Sequence, residues 1–273
     1  MSQLLLFEPS TLLQAPTPAL LPIKKRRYWI EAHLDDIEAH RLLSLISRNT
    51  KKQDPKGQVK MQTLGPNTPW TELPFLVVDT ETTGLDKTTH RVIEIAWVLF
   101  DARKEVACDA RLCSIPEPIP DEITGLTGIH SSMLEGQPAF SAHIDAFLEA
   151  ASKAAFLVAY NANFDRLFIE AEFARAGKTL PQFTWVDPCV YIRELDRYQK
   201  GKRLSDAAAR WGVSLDGAHR ALADAKAAGH LLLKLMPHLK VSSLSELITL
   251  QNNWQLDQER QYKAYAARKG VYS

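Results

Sequence analysis

No stretch of this chain approaches the roughly 20 consecutive apolar residues that a membrane-spanning helix needs, which argues against residence within a bilayer. The N-terminal run Leu4-Leu5-Leu6-Phe7 is too short for a signal-peptide core, and no basic side chain precedes it. Cysteine is scarce: Cys108, Cys113 and Cys189 form no CxxC pair and are odd in number. A disulfide framework or a cysteine-rich zinc site is therefore not expected, and a reducing bacterial cytoplasm is the expected setting. Net charge is also nearly absent, with 33 Lys and Arg against 32 Asp and Glu in 273 residues. That balance disfavours a protein that coats long duplexes through phosphate contacts, but not an enzyme gripping a few nucleotides. Internal repeats and low-complexity tracts are missing too. What remains is an ordinary globular composition, 45% hydrophobic and 24% charged.

The first 73 residues differ from the rest. Pro9, Pro16, Pro18 and Pro22 make residues 1–23 a tether rather than a helix or a central strand. Residues 24–73 open with Lys24-Lys25-Arg26-Arg27, a basic cluster that suits either DNA contact or a solvated tether. A helical stretch follows from about Trp29 to Ile46, and then a polar linker punctuated by Pro55, Gly57, Gly65 and Pro66. His33, Asp35, Asp36 and His40 fall at helical spacing and read as a polar helix face, not a metal cluster. From Phe75 the pattern becomes that of an α/β domain over residues 74–240. Phe75–Val78 and Phe156–Ala159 are short buried strands, Val92–Phe100 and Val106–Ile115 are longer ones, and Trp185–Asp187 is a last short strand. Helices are expected over 140–151, 164–176, 188–198, 204–211 and 219–236. Such an order predicts a mixed sheet with helices on both faces. Ser243-Leu244-Ser245-Glu246 has the form of a capping box opening a C-terminal helix within 241–273.

Chemistry gathers in three short segments. In Asp79-Thr80-Glu81-Thr82-Thr83-Gly84-Leu85, strand residues i and i+2 share a face, so Asp79 and Glu81 project two carboxylates from one strand end. Two such groups repel one another unless a divalent cation lies between them. Tyr160-Asn161-Ala162-Asn163-Phe164-Asp165 delivers a third carboxylate at a helix start. His219-Arg220-Ala221-Leu222-Ala223-Asp224 adds an imidazole and a fourth. On one continuous helix His219 and Asp224 would diverge by about 140°; with His219 in the preceding loop both reach one cleft. Taken singly, each segment also suits a solvated strand or helix end. Taken together, four carboxylates and a histidine are what two-metal phosphoryl-transfer chemistry requires, and oxygen ligands favour Mg²⁺ or Mn²⁺ over zinc.

These segments resemble the DEDDh family of 3′→5′ exonucleases, which includes proofreading epsilon subunits and RNase T. The resemblance covers roughly residues 74–236 and extends to Ile93-Glu94-Ile95-Ala96 and Leu126-Thr127-Gly128-Ile129. It implies an RNase H-like five-stranded sheet and two Mg²⁺ or Mn²⁺ ions. Asp79 would bridge both ions, Glu81 and Asp224 would complete one site, Asp165 would hold the second, and His219 would be general base. It further implies that Thr82, Thr83, Gly84 and Leu85 cradle a terminal nucleotide, with Asn161 and Phe164 as further contacts. Tyr160 stands where many members have histidine.

Two other signals bear on partners. Gln3-Leu4-Leu5-Leu6-Phe7 resembles the peptide by which bacterial repair proteins dock on the sliding clamp, with Gln3, Leu4, Leu6 and Phe7 as anchors. Arg193, Arg197, Lys200, Lys202 and Arg203 form a basic run suited to the phosphates of an incoming strand. The expected function is therefore removal of mononucleotides from a single-stranded or frayed DNA 3′ end. The alternatives are RNA 3′ trimming and a mainly scaffolding accessory subunit. Oligomeric state is left open.

Overall fold

The structure, a computed structural model, describes residues 68–101 and 103–268. The clamp-like peptide, Lys24–Arg27, the His33 cluster and the helix expected at 29–46 lie outside the described residues.

Strands β1 (Phe75–Thr82), β2 (Val92–Asp101), β3 (Lys104–Leu112), β4 (Phe156–Val158) and β5 (Trp185–Val186) form one five-stranded sheet in the order β3-β2-β1-β4-β5. β1 pairs antiparallel with β2, and β2 with β3; β1–β4 and β4–β5 are parallel. This is the mixed sheet expected from the apolar runs, and β1 lies at its centre. Helices α1 (Asp121–Thr127), α2 (Ser131–Leu134) and α3 (Ile144–Ala151) make the β3–β4 connection, and α4 (Ala162–Arg175) joins β4 to β5. After β5 come α5 (Pro188–Leu195), α6 (Leu204–Trp211), α7 (Ala221–Leu235) and α8 (Leu244–Arg268).

The alternation of β1 divides the core. Phe75 and Val77 pack with Val98, Val158 and the apolar faces of α5, α6, α7 and α8. Leu76 and Val78 pack with Trp97, Leu157, Phe147 of α3 and Phe168 and Phe173 of α4. Continuing that alternation, Asp79 and Glu81 fall on the α7 face and Thr80 on the α4 face. Helix α7 lies unusually close to the sheet. A β-carbon on Gly229 would stand 2.4 Å from the Phe100 ring and 2.9 Å from Val77. Small residues at Ala221, Ala225, Ala228 and Gly229 thus let this helix settle on β1 and β2 and carry Asp224 to the strand end.

Several boundaries differ from expectation. Trp70, read as linker, is fully buried and donates its indole N–H to the Val241 carbonyl at 3.0 Å, so the packed domain already includes it. α1 and α2 were not anticipated, because helices of one or two turns carry no usable periodicity. Cys113 and Cys189 are buried as expected, whereas Cys108 is exposed on β3, one of the sheet's two edge strands. The Ser243–Glu246 capping box forms: Ser243 Oγ accepts from Glu246 N at 3.2 Å, and the Glu246 carboxylate accepts from Ser243 N at 3.0 Å. Helix α8 covers the sheet rather than standing apart. Gln251 accepts from Asp187 N and donates to the Trp185 carbonyl, satisfying backbone groups at β5.

Candidate active site

The carboxylates converge at the C-terminal end of β1. One oxygen each of Asp79, Glu81 and Asp224 can be chosen so that all lie within 4.8 Å of one another. Two of the three residues are half-buried and Asp224 is buried, so solvent screens their repulsion only in part. An all-oxygen set at this spacing suits a hard divalent cation, as expected from the residue types.

Asp165 stands outside that trio. It is 3% exposed on α4, and its Oδ1 accepts from the Thr80 backbone N–H at 2.9 Å and the Thr80 hydroxyl at 2.8 Å. Burial pushes its carboxyl up to about 7, against the opposing effect of the Thr80 hydrogen bonds. A carboxylate held this far from water gains most when a positive charge is placed beside it. The sequence placed Asp165 in the same set, and the structure brings it to the neighbouring residue of β1.

His219 lies in the loop before α7, with φ +69°, and Arg220 is the N-cap of the helix. The condition for His219 and Asp224 to share a cleft is therefore met. Asp224 Oδ2 accepts the His219 backbone N–H at 3.2 Å, so one member of the acidic trio also holds the histidine's left-handed backbone.

Glu94 supplies an unforeseen part of this arrangement. It sits opposite Glu81 in the β1–β2 register, where two like charges on one face repel. Its 2%-exposed carboxylate instead accepts from Arg220 Nη2 at 2.7 Å and Nε at 3.2 Å, and from Ala221 N at 3.0 Å. Glu94 holds the Arg220 guanidinium above its ordinary value, and Glu81 adds a smaller effect in the same direction. One carboxylate thus anchors the start of α7 and the His219 loop while leaving Glu81 to the acidic trio. A single charge inside the apolar run Val92-Ile93-Glu94-Ile95-Ala96 was the available signal.

The segment expected to cradle a nucleotide is clamped from α4. Glu172, 2% exposed, accepts from Arg91 Nε (2.8 Å) and Nη2 (3.0 Å), Val92 N (3.2 Å) and Arg175 Nη1 (2.9 Å). Arg175 Nη2 in turn donates to carbonyls of Lys87, Thr88 and His90. Thr83 N donates to the Arg91 carbonyl, the Thr83 hydroxyl accepts from Arg91 N, and the Thr82 hydroxyl donates to the Gly84 carbonyl. Thr82, Thr83 and Gly84 are buried and Leu85 is half-buried. Gly84 admits the His90 ring: a β-carbon there would lie 2.3 Å from His90 Cδ2.

Asn161 adopts φ +70° as N-cap of α4. Asp187 holds it in place, accepting from Asn161 N (2.9 Å), Ala162 N (3.0 Å) and Cys189 N (2.9 Å), and so ties the starts of α4 and α5 together. Burial pushes the Asp187 carboxyl up to about 6. Asp187-Pro188 has the form of an N-cap followed by proline at the first helical position, a signal the sequence reading passed over. Phe164 is half-buried with its ring centroid 4.8 Å from that of Phe168, so much of it serves packing. Of the basic run, Lys202 is turned inward onto the carbonyls of Asp196 and Gln199, and Arg197 pairs with Glu194. Lys202 is therefore unsuited to the phosphate contact expected of it.

This sheet and this acidic end define a nuclease-type site. The chain belongs to the RNase T-type exonuclease family, whose sequence model matches residues 76–232, more than half its length. It is 36% identical over 176 residues to a PolC-type DNA polymerase III from Caldanaerobacter subterraneus, covering 63% of this chain but only 12% of that protein. It is 33% identical over 168 residues to the DNA polymerase III epsilon subunit of Treponema pallidum, covering 60% of this chain and 77% of that protein. Among solved structures, the nuclease domain of 3′hExo, a DEDDh family member, aligns with TM-score 0.56 at 15% identity over 64% of this chain and 98% of that one. Escherichia coli exonuclease I in complex with a dT13 oligonucleotide aligns with TM-score 0.54 at 19% identity, over 61% and 42% of the two chains. At those identities the structural likeness establishes the fold, which matches the RNase H-like expectation.

Proposed function

We propose that this protein is a divalent-cation-dependent 3′→5′ exonuclease that releases 5′-mononucleotides from single-stranded or frayed DNA ends during bacterial replication, proofreading or repair. The observation that carries the reading is the convergence of Asp79, Glu81 and Asp224 at one strand end, with His219 pinned beside them by Asp224. Asp79, Glu81 and Asp224 would hold one Mg²⁺ or Mn²⁺, and Asp165, on the adjoining residue's side of β1, would serve a second. Such ions, when bound, acidify water and neutralise charge on the scissile phosphate.

The chain's own groups account for the rest. The His219 imidazole, whose type titrates near neutrality, takes the proton from the attacking water. Water oxygen bonds to phosphorus as the bond to the 3′ oxygen of the preceding nucleotide breaks, and that oxygen takes a proton from solvent to become the new 3′ hydroxyl. The backbone of Thr83 and Gly84, clamped through Arg91 and Arg175, orients the terminal nucleotide, with the Leu85 side chain against it. Asn161, Phe164 and Thr82 complete that cradle.

DNA is preferred over RNA because the curated relatives named above are DNA polymerase III proteins. Gln3, Leu4, Leu6 and Phe7 would dock on the sliding clamp; a 1–12 peptide that fails to bind a bacterial clamp removes that part. The test of the main reading uses 5′-labelled DNA and matched RNA strands with Mg²⁺ or Mn²⁺. Stepwise shortening from the 3′ end is expected, faster on DNA and abolished in Asp79→Ala. Equal shortening by Asp79→Ala would sink it.

A further inference from the structure

The loop between α5 and α6, residues 196–203, takes no part in the site described above, yet it is built with unusual care. The Lys202 ammonium donates to the carbonyls of Asp196 and Gln199 from within the loop. Arg210 of α6 donates to the Asp196 carboxylate at 2.8 Å and to the Lys200 carbonyl at 3.1 Å. The Trp211 indole N–H reaches that same carboxylate at 3.2 Å. The Tyr160 hydroxyl donates to the Lys202 carbonyl. A loop with this many backbone carbonyls engaged by side chains is a fixed platform.

Its position follows from the sheet. In the parallel β1–β4 register Val77 faces Val158, and β4 ends there, so the turn that carries Tyr160 leaves the sheet at the same end as Asp79. Tyr160 packs in the core layer of Val77 and Val158, the face from which Asp79 and Glu81 project. The platform therefore flanks the carboxylates on the β4 side, as the His219 loop flanks them on the β2 side.

The platform presents Tyr198. At 93% exposure it is the most exposed of the large hydrophobic side chains among the described residues. Lys200 follows, exposed, and the Arg197 guanidinium lies beside the tyrosine while pairing with Glu194. An aromatic ring held in water on a rigid basic loop contributes nothing to packing. It does match single-stranded nucleic acid, because every base offers a π-face and stacking needs no particular sequence. We propose that Tyr198 stacks on a nucleobase of the strand upstream of the scissile bond, with Lys200 beside that nucleotide's phosphate, so that the loop holds the strand while its end is hydrolysed. The inference rests on the exonuclease reading and extends it to a specific strand-holding residue.

The test compares the full chain with Tyr198→Ala, Tyr198→Phe and Tyr198→Trp on two substrates, an oligo(dT) strand and the p-nitrophenyl ester of thymidine 5′-monophosphate. The ester carries no upstream base. Tyr198→Ala should raise KM on the strand by roughly 5- to 150-fold, the range that loss of one base–aromatic stack implies. The phenylalanine and tryptophan variants should stay near wild type, and all variants should hydrolyse the ester equally. Unchanged strand kinetics in Tyr198→Ala, or an equal loss on the ester, would overturn the assignment. Fluorescence anisotropy of labelled oligo(dT) with chelator present separates this from the catalytic reading. If the wild type hydrolyses neither substrate, the exonuclease reading fails, and Tyr198 stands or falls on whether Tyr198→Ala binds the strand more weakly.

Discussion

Replacing Glu94 by glutamine removes one negative charge while keeping shape and one acceptor oxygen. In the native fold that charge accepts two Arg220 bonds and the Ala221 N–H, and it stands opposite Glu81. Glutamine can still accept from Ala221 N, so the start of α7 survives. What is lost is the charge and the Arg220 Nη2 contact, which now faces the amide NH2, and because Arg220 is 45% exposed, solvent makes up part of it. Hydrogen bonds to charged groups contribute about 1.5–3 kcal/mol, and that discount brings the expected destabilisation to about 1–2 kcal/mol. For a domain of this size that is roughly 2–8 °C in Tm.

The larger effect falls on the acidic trio. Arg220 already feels Glu81, and without the Glu94 charge Glu81 becomes its nearest strong acceptor. A guanidinium drawn to Glu81 competes with any cation there, and the His219 loop moves with it. Loss of a residue that orients metal ligands weakens affinity by roughly 10–100-fold, and we expect a loss in that range for Mn²⁺. Isothermal titration measures it, with thermal denaturation in chelator reporting the fold separately. Glu94→Gln/Arg220→Gln should recover most of the affinity, since the competing cation is gone. A folded Glu94→Gln protein that binds Mn²⁺ as tightly as wild type would refute the reasoning.

His219→Ala should lower turnover by roughly 10²–10⁴-fold while leaving Mn²⁺ affinity near wild type, because the imidazole moves a proton and the Asp224 carboxylate stays. Near-normal turnover would remove His219 from the mechanism. Gly84→Ala should raise KM for the strand, since its methyl group meets His90 at 2.3 Å and the ring must leave its place against the loop. Adding His90→Ala should restore KM toward wild type, and a double variant no better than Gly84→Ala alone would show that the clash is not the cause.

The central strands and the acidic chemistry were legible in the chain itself because both depend on short-range rules. Phe75–Val78 reads as a buried strand from its unbroken apolar run, and Asp79 and Glu81 share a face through the two-residue repeat of a strand. The Ser243–Glu246 cap likewise lies within four residues. Less local features were misread. Lys202 looked available for phosphates because nothing near it in sequence reveals that Asp196 and Gln199 turn their carbonyls toward it. Trp70 looked like linker because its partner, the Val241 carbonyl, lies 171 residues away.

By itself, then, the sequence determined the set of acidic side chains, the strand that carries two of them and the exonuclease class, all properties of residues close together along the chain. Only the tertiary structure decided how those groups are held. Gly229 lets α7 approach β1, Glu94 turns Arg220 away from Glu81, Glu172 clamps the loop after β1 through Arg91, and Asp187 joins α4 to α5. Each of these is a buried or half-buried polar group, or a close backbone approach, whose partner is distant in sequence. The free energy of such a contact depends on which neighbour removes the water, and folding alone selects that neighbour.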